Sequence, residues 1–289
     1  MSVTATLAND AVERIVRLAL DEDVPWGDVT SEVLIPAEAR VTAVLAAREN
    51  GVLAGTQAFA TAMRLVDATT EVTFSVRDAE QFHAEQVLAT ISGSARSVLR
   101  GERVALNFIQ RMSGIATLTA KYVAETAGTK ARIVDTRKTT PGLRLLERYA
   151  VRCGGASNHR YSLSDAVLAK DNHLAILTDG GRKNLTESLK AARARMGHTT
   201  HFEVEVDRPD QIEPVLAAGV DTIMLDNFTT EQMRDAVTQI AGRALVEASG
   251  GVQLPRIKEI AETGVDIISV GALTHSVRSL DLGLDIENG

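Results

Sequence analysis

From residue 131 onward, short apolar runs recur along the chain, and each closes on small or polar residues. "ARIVDTRK" ends at Asp135 to Lys138, "AVLAKDNH" reaches Lys170, and "FEVEVD" carries Glu205 and Asp207. "TIMLDN" ends at Asp226, "ALVEASGG" at Glu247 to Gly251, and "IISVGA" at Gly271. Amphipathic stretches such as "TEQMRDAVTQIAG" and "LPRIKEIAETG" separate several of these runs. The last three follow one another at intervals of about 20 residues, the spacing of strand–loop–helix units in a parallel sheet. Six runs predict an α/β barrel that is incomplete or irregular. In barrels the C-terminal strand ends carry the chemistry, and here those ends hold nearly all the unusual polar residues.

The first part of the chain has a different grammar and reads as α+β. Residues 9–21 place Val12, Ile15, Val16, Ala19 and Leu20 at helical spacing, with Asn9 or Asp10 as the expected N-cap. "PWGDVTSEVLIP" reads as a loop, and "ARVTAVLAAREN", "EVTFSVRD" and "QVLATISGSA" read as strands. "AGTQAFATAMRLVDA" is a helix between the first two strands, and a long helical stretch follows residue 95, with breaks expected at Gly101 and Gly114.

Composition narrows the function. The 289 residues are 45% hydrophobic with a net charge of −7, which suits a soluble α/β protein and argues against a nucleic-acid or membrane-surface binder. No apolar run approaches the roughly 20 residues of a membrane span, and the N-terminus lacks the core of a signal peptide, so the expected location is the cytoplasm. The single cysteine, Cys153, excludes a disulfide within the chain and reads as a small buried residue.

Against this acidic background, seven Lys or Arg lie between Arg137 and His173. Arg144, Arg148 and Arg152 share one helix face, read as solvated surface. Arg137, Lys138 and Lys170 instead follow strands, and His159 and Arg160 sit in the connection "CGGASNHR". Such a set suits a ligand with several carboxylates or phosphates. Glu205 and Asp226 could balance that charge or hold Mg²⁺ or ribose hydroxyls. "SGG" at 249–251 and "VGA" at 270–272 suggest a phosphate cradle on two late strands. Asp135 and Asp171 read as capping or bracing loops, and Trp26 and Met224 as packing. A lysine at a barrel strand end also keeps a Schiff-base aldolase open.

Together these residues resemble the quinolinate phosphoribosyltransferase family. The motifs that carry the likeness are "GERVALNFIQRMSGIAT", "DTRKTTPGLRLLERYAVRCGGASNHR", "LAKDNH", "EVEVD", "IMLDN", "EASGG" and "VGALTHS", in order, with "PWGDVTS" near the N-terminus. The chain departs from the family pattern at Ala156, Ser162 and Ala169, where glycine, glycine and a larger aliphatic are usual. The resemblance implies an N-terminal α/β sandwich domain, residues 1–114, joined by the C-terminal tail 276–289, and an irregular, incomplete barrel, residues 115–275. It implies a homodimer, or an assembly of dimers, in which Arg103 of one subunit reaches the other's site. The implied reaction joins quinolinate to phosphoribosyl pyrophosphate, giving nicotinate mononucleotide, pyrophosphate and CO₂ with Mg²⁺, in NAD biosynthesis. By the same resemblance Arg137, His159, Arg160, Lys170 and the partner's Arg103 bind quinolinate, and Lys138 faces phosphoribosyl pyrophosphate. Glu205 and Asp226 hold ribose hydroxyls or the metal, and Ser249, Gly250 and Gly271 bind the 5′-phosphate. Lys138, Lys170, Glu205 and Asp226 are the implied catalytic set. A phosphoribosyltransferase relative of other specificity, or a non-catalytic binder on the same fold, are the remaining rivals.

Overall fold

The computed structural model describes residues 7–286. The first six residues and the last three of the C-terminal tail lie outside the described residues. The chain divides into two compact units. One holds the chain up to Ala120, Thr139–Gly155 and the segment from Leu273; the other holds Lys121–Lys138 and Ala156–Ala272.

The first unit begins with α1 (Asn9–Asp23) and α2 (Val29–Leu34), then β1 (Arg40–Ala47), β2 (Gly51–Val52), α3 (Thr56–Val66), β3 (Glu71–Phe74), β4 (Gln81–Phe82), β5 (Val87–Ser94) and α4 (Ala95–Ala124). α1 forms where expected and buries Val12 and Val16. Its N-cap is Ala8, not Asn9 or Asp10. Asn9 is already helical, and its side chain accepts a hydrogen bond from Gln57 Nε2 at 2.7 Å. The segment read as a loop contains α2, because Asp28 caps it by accepting from the Ser31 amide at 3.1 Å. α4 runs unbroken through Gly101 and Gly114. Gly114 serves close approach: a Cβ there would lie 2.2 Å from the Arg278 carbonyl oxygen.

The second stretch of chain adds β6 (Arg132–Val134), α5 (Arg144–Cys153), β7 (Val167–Ala169), α6 (Asp171–Leu177), α7 (Leu185–Arg193), β8 (Phe202–Val206), α8 (Ile212–Leu216), β9 (Thr222–Asp226), α9 (Thr230–Ile240), β10 (Leu245–Ser249), α10 (Ile257–Ala261), β11 (Ile267–Ser269), α11 (Ala272–His275) and β12 (Leu282–Ile286). β12 pairs antiparallel with β1 and completes a four-stranded sheet of order β12-β1-β5-β3. α5 belongs to the first unit. Its arginines are not a solvated face: Arg148 is buried, and Arg144 and Arg152 are half-buried. Glu147, 1% exposed, explains the packing at this helix. It pairs with Arg111 and accepts from the amide and hydroxyl of Thr140 at 3.0 and 2.8 Å.

All six expected strands of the second unit form, and they join one parallel sheet of order β6-β11-β10-β9-β8-β7. β8, β9 and β10 are buried on both faces over most of their length, as strands covered on two sides must be. Each fully buried Val, Ile or Leu on them contributes about 1.5–3 kcal/mol. Burial relaxes at Glu205, Asp226 and Ser249, near the C-terminal ends. Among the described residues no helix is long and apolar enough to cross a membrane.

Candidate active site

The C-terminal strand ends of the second unit open into a cavity of about 650 Å³. β6 delivers Arg137 and Lys138 to it, β7 delivers Lys170, β8 Glu205, β9 Asp226, and β10 Ser249 and Gly250. His159 and Arg160 line it from the connection before β7. Gly271 follows β11, outside the lining of this cavity, and Arg103 lies on α4 in the first unit, beside a smaller cavity shared with Asp28 and Arg100. The sequence reading therefore brings together nine of its eleven proposed site residues in one cavity.

The "SNHR" connection is held from below. Asp135, fully buried, accepts from the His159 amide at 2.8 Å and from Asn158 Nδ2 at 2.7 Å. This is the bracing role expected of it. Asp171 takes no such part; it opens α6 and faces a second cavity. Arg160 donates from Nη1 to the Ala166 carbonyl at 2.9 Å. Burial and the neighbouring Arg137 charge both weigh against the Arg160 cation and lower its pKa, with Glu203 opposing them. Arg137 Nε is buried with no hydrogen-bond partner in the protein. Two crowded guanidiniums and an unsatisfied donor together call for an anion.

Beneath His159 stand Glu203, which the sequence reading passed over, and Glu247, which it named only as the end of an apolar run; they are 4% and 1% exposed. His159 Nε2 lies 3.2 Å from Glu203 Oε2 and 3.5 Å from Glu247 Oε2. Burial pulls the imidazole toward neutrality, but hydrogen bonds and charge from both glutamates outweigh it and lift its pKa to about 10. The Arg160 amide works the other way, because it donates to His159 Nδ1 at 2.8 Å and needs that lone pair. With Nδ1 accepting, the ring proton sits on Nε2. The three side chains are close enough to hold a metal ion, their ligand atoms within 4.8 Å of one another. A protonated Nε2 offers no lone pair for that purpose. Burial also pushes the Glu203 carboxyl up to about 7. The signal for Glu203 was its place two residues before Glu205, and for Glu247 two before Ser249, on the same faces of their strands.

Lys170 Nζ forms an ion pair with Glu205 Oε2. That contact disfavours the Schiff-base reading, since a nucleophilic amine needs its lone pair free. Asp226 accepts from Asn227 Nδ2 at 2.7 Å. Glu205, Asp226 and Asn227 also border the second cavity, of about 800 Å³. Met224 is packed as expected, 4% exposed, but Trp26 is 95% exposed, because the turn carrying it points the indole outward. Cys153 is buried, and burial pushes its thiol up to about 12, as an inert cysteine requires.

Comparison with known proteins gives this geometry its relatives. The quinolinate phosphoribosyl transferase N-terminal domain matches residues 28–113, and the C-terminal domain of the same family matches residues 115–285. A Mycobacterium leprae protein named nicotinate-nucleotide pyrophosphorylase (carboxylating) is 43% identical over 96% of this chain and 98% of its own. A Bacillus subtilis protein, named as a probable enzyme of that kind, is 40% identical over 92% of this chain and 90% of its own. The solved nicotinate-nucleotide pyrophosphorylase of Francisella tularensis superposes with a TM-score of 0.90 at 38% identity, covering 98% of both chains. Matched by both domains in order and by relatives along nearly its whole length, the chain belongs to the quinolinate phosphoribosyltransferase family.

Proposed function

We propose that the protein is the decarboxylating quinolinate phosphoribosyltransferase of NAD biosynthesis, a cytoplasmic enzyme that converts quinolinate and phosphoribosyl pyrophosphate to nicotinate mononucleotide, pyrophosphate and CO₂. The observation that carries this reading is the single cavity in which Arg137, Lys138, Arg160 and Lys170 face Glu205, Asp226 and the Ser249-Gly250 turn. One side suits an aromatic dicarboxylate, the other a phosphorylated ribose.

Arg137, Arg160 and Lys170 would take the two quinolinate carboxylates, the buried Arg137 Nε gaining the partner it lacks in the protein. His159 would hold the Arg160 backbone and wall the ring. Lys138 would meet the pyrophosphate, and the Ser249-Gly250 turn with Gly271 the 5′-phosphate. Glu205 and Asp226 would hold the ribose hydroxyls, and their charge favours the cation that develops at the anomeric carbon. Magnesium fits the same pair, which offers hard oxygen donors from adjacent strands. Bound there, it would offset the charge of the pyrophosphate.

In the reaction the pyridine nitrogen forms its bond to the anomeric carbon as the bond to pyrophosphate breaks. The quaternised ring then accepts the electron pair left when the adjacent carboxylate departs as CO₂, and a proton takes its place. The protein's main contribution is to hold two mutually repelling anions in reacting geometry. The site is completed by Arg103 from a second copy of the chain, which makes the working unit a homodimer.

The test is a product assay with magnesium, phosphoribosyl pyrophosphate and quinolinate, run beside nicotinate. Product and CO₂ from quinolinate alone are expected. Arg137→Ala and Lys170→Ala should each lose about 100-fold or more in kcat/KM with the fold intact. Turnover of nicotinate in place of quinolinate would sink the substrate assignment.

A further inference from the structure

Asn227 is an unobtrusive residue directly after Asp226, and the fold gives it an uncommon backbone. Its φ is +59°, in the left-handed region that few residues other than glycine enter. Three of its groups are in use. The side-chain Nδ2 donates to Asp226 Oδ2 at 2.7 Å, and a carboxylate can only accept, so the amide's orientation is settled. The backbone N–H donates to the Ser249 carbonyl at 3.1 Å. The side-chain oxygen packs against Gly250 so closely that a Cβ there would lie 2.3 Å from it. Asn227 thus ties the carboxylate at the end of β9 to the Ser249-Gly250 turn at the end of β10. It also borders both cavities.

We propose that Asn227 is a positioning residue that fixes the Asp226 carboxylate relative to the Ser249-Gly250 turn, so that ribose hydroxyls and 5′-phosphate of one phosphoribosyl group are met together. This rests on the proposed function, because it takes the phosphoribosyl group as the ligand of those two strand ends. Without the amide, Asp226 keeps its charge but gains freedom to rotate. The loss then falls on phosphoribosyl pyrophosphate and on the magnesium requirement, and leaves quinolinate binding alone. A bland alternative exists: asparagine is tolerated at positive φ, and Asn227 could serve the turn only.

Asn227→Gly separates the two, because glycine adopts the same backbone conformation while removing the amide. The variant should keep the wild-type melting temperature. Its calorimetric Kd for phosphoribosyl pyrophosphate with magnesium should rise about 10- to 100-fold, the loss of one hydrogen bond to a charged group. The magnesium concentration for half-maximal binding should rise with it, while KM for quinolinate changes less than about twofold by the same reasoning. Asn227→Asp, which also sets a like charge beside Asp226, should bind more weakly still. Wild-type affinity and magnesium dependence in Asn227→Gly would overturn the inference alone. Wild-type protein that binds no phosphoribosyl pyrophosphate would overturn the proposed function, and this inference with it.

Discussion

At Gly250 an added methyl group has nowhere to go: φ is +86° and the nearest atoms belong to Asn227. Gly250→Ala should therefore cost about 1–3 kcal/mol of stability and weaken phosphoribosyl pyrophosphate binding, read by thermal unfolding and calorimetry. Unchanged values in both would show that the turn yields freely. Asp221 gives a pH signature. Burial raises its pKa, but hydrogen bonds from Arg193 at 2.8 Å and the Phe202 amide at 2.7 Å prevail and hold it below the usual carboxylate value. A folded pKa below the unfolded one means stability that is present above about pH 4 and lost as pH falls through the folded value. Asp221→Asn should be less stable than wild type at pH 7, and the gap should close in acid; a gap independent of pH would refute the ionic cause. Residues of this kind differ in how legible they are. Arg137, Lys138 and Lys170 announce themselves because charge at the end of an apolar run has no structural excuse. Glu203 hides inside such a run, where alternation alone marks it, Glu247 stands at the end of one with nothing in the sequence to name its partner, and Asn227 takes its meaning from a backbone angle that no side chain reveals.

Among the elements, α5 shows how one buried acid organises a segment. Glu147 takes the Thr140 amide and hydroxyl and the Arg111 guanidinium, and Thr139 follows Lys138 directly. Glu147→Ala would strand these donors and should cost about 3 kcal/mol by denaturant titration. Glu147→Gln keeps an acceptor and should cost clearly less; equal losses would mean that the charge, not the hydrogen bonding, matters. The strands of the second unit were readable because each is a short apolar run bounded by polar residues. α2 was not, since its apolar residues Val29, Val33 and Leu34 point outward and the prolines on either side of it, Pro25 and Pro36, suggest a loop. Gly101 and Gly114 mislead in the opposite direction. They read as breaks in α4, yet at Gly114 the missing side chain is what lets the Arg278 backbone approach.

At the scale of the whole molecule, the sequence shows charge balance and the likeness of its motifs but not which surface the proposed homodimer would bury. The structure supplies a candidate: Trp26, Val29, Val33 and Leu34 are each at least 70% exposed around the turn and helix near the cavity that Arg103 lines. A helix that turns its apolar residues outward suits a covered surface. Val33→Asp should then shift the protein toward monomer in sedimentation and lower activity together with it. The sharper test uses two inactive variants, Arg103→Ala and Lys170→Ala. If Arg103 serves the partner's site, a hybrid dimer has one site lacking both residues and one site complete. Random exchange makes half the dimers hybrid, so an equal mixture should recover about a quarter of wild-type activity. The same mixture showing no more than the average of its parents, in dimers shown to exchange, would place Arg103 outside any shared site and leave the barrel cavity to bind quinolinate with its own cations.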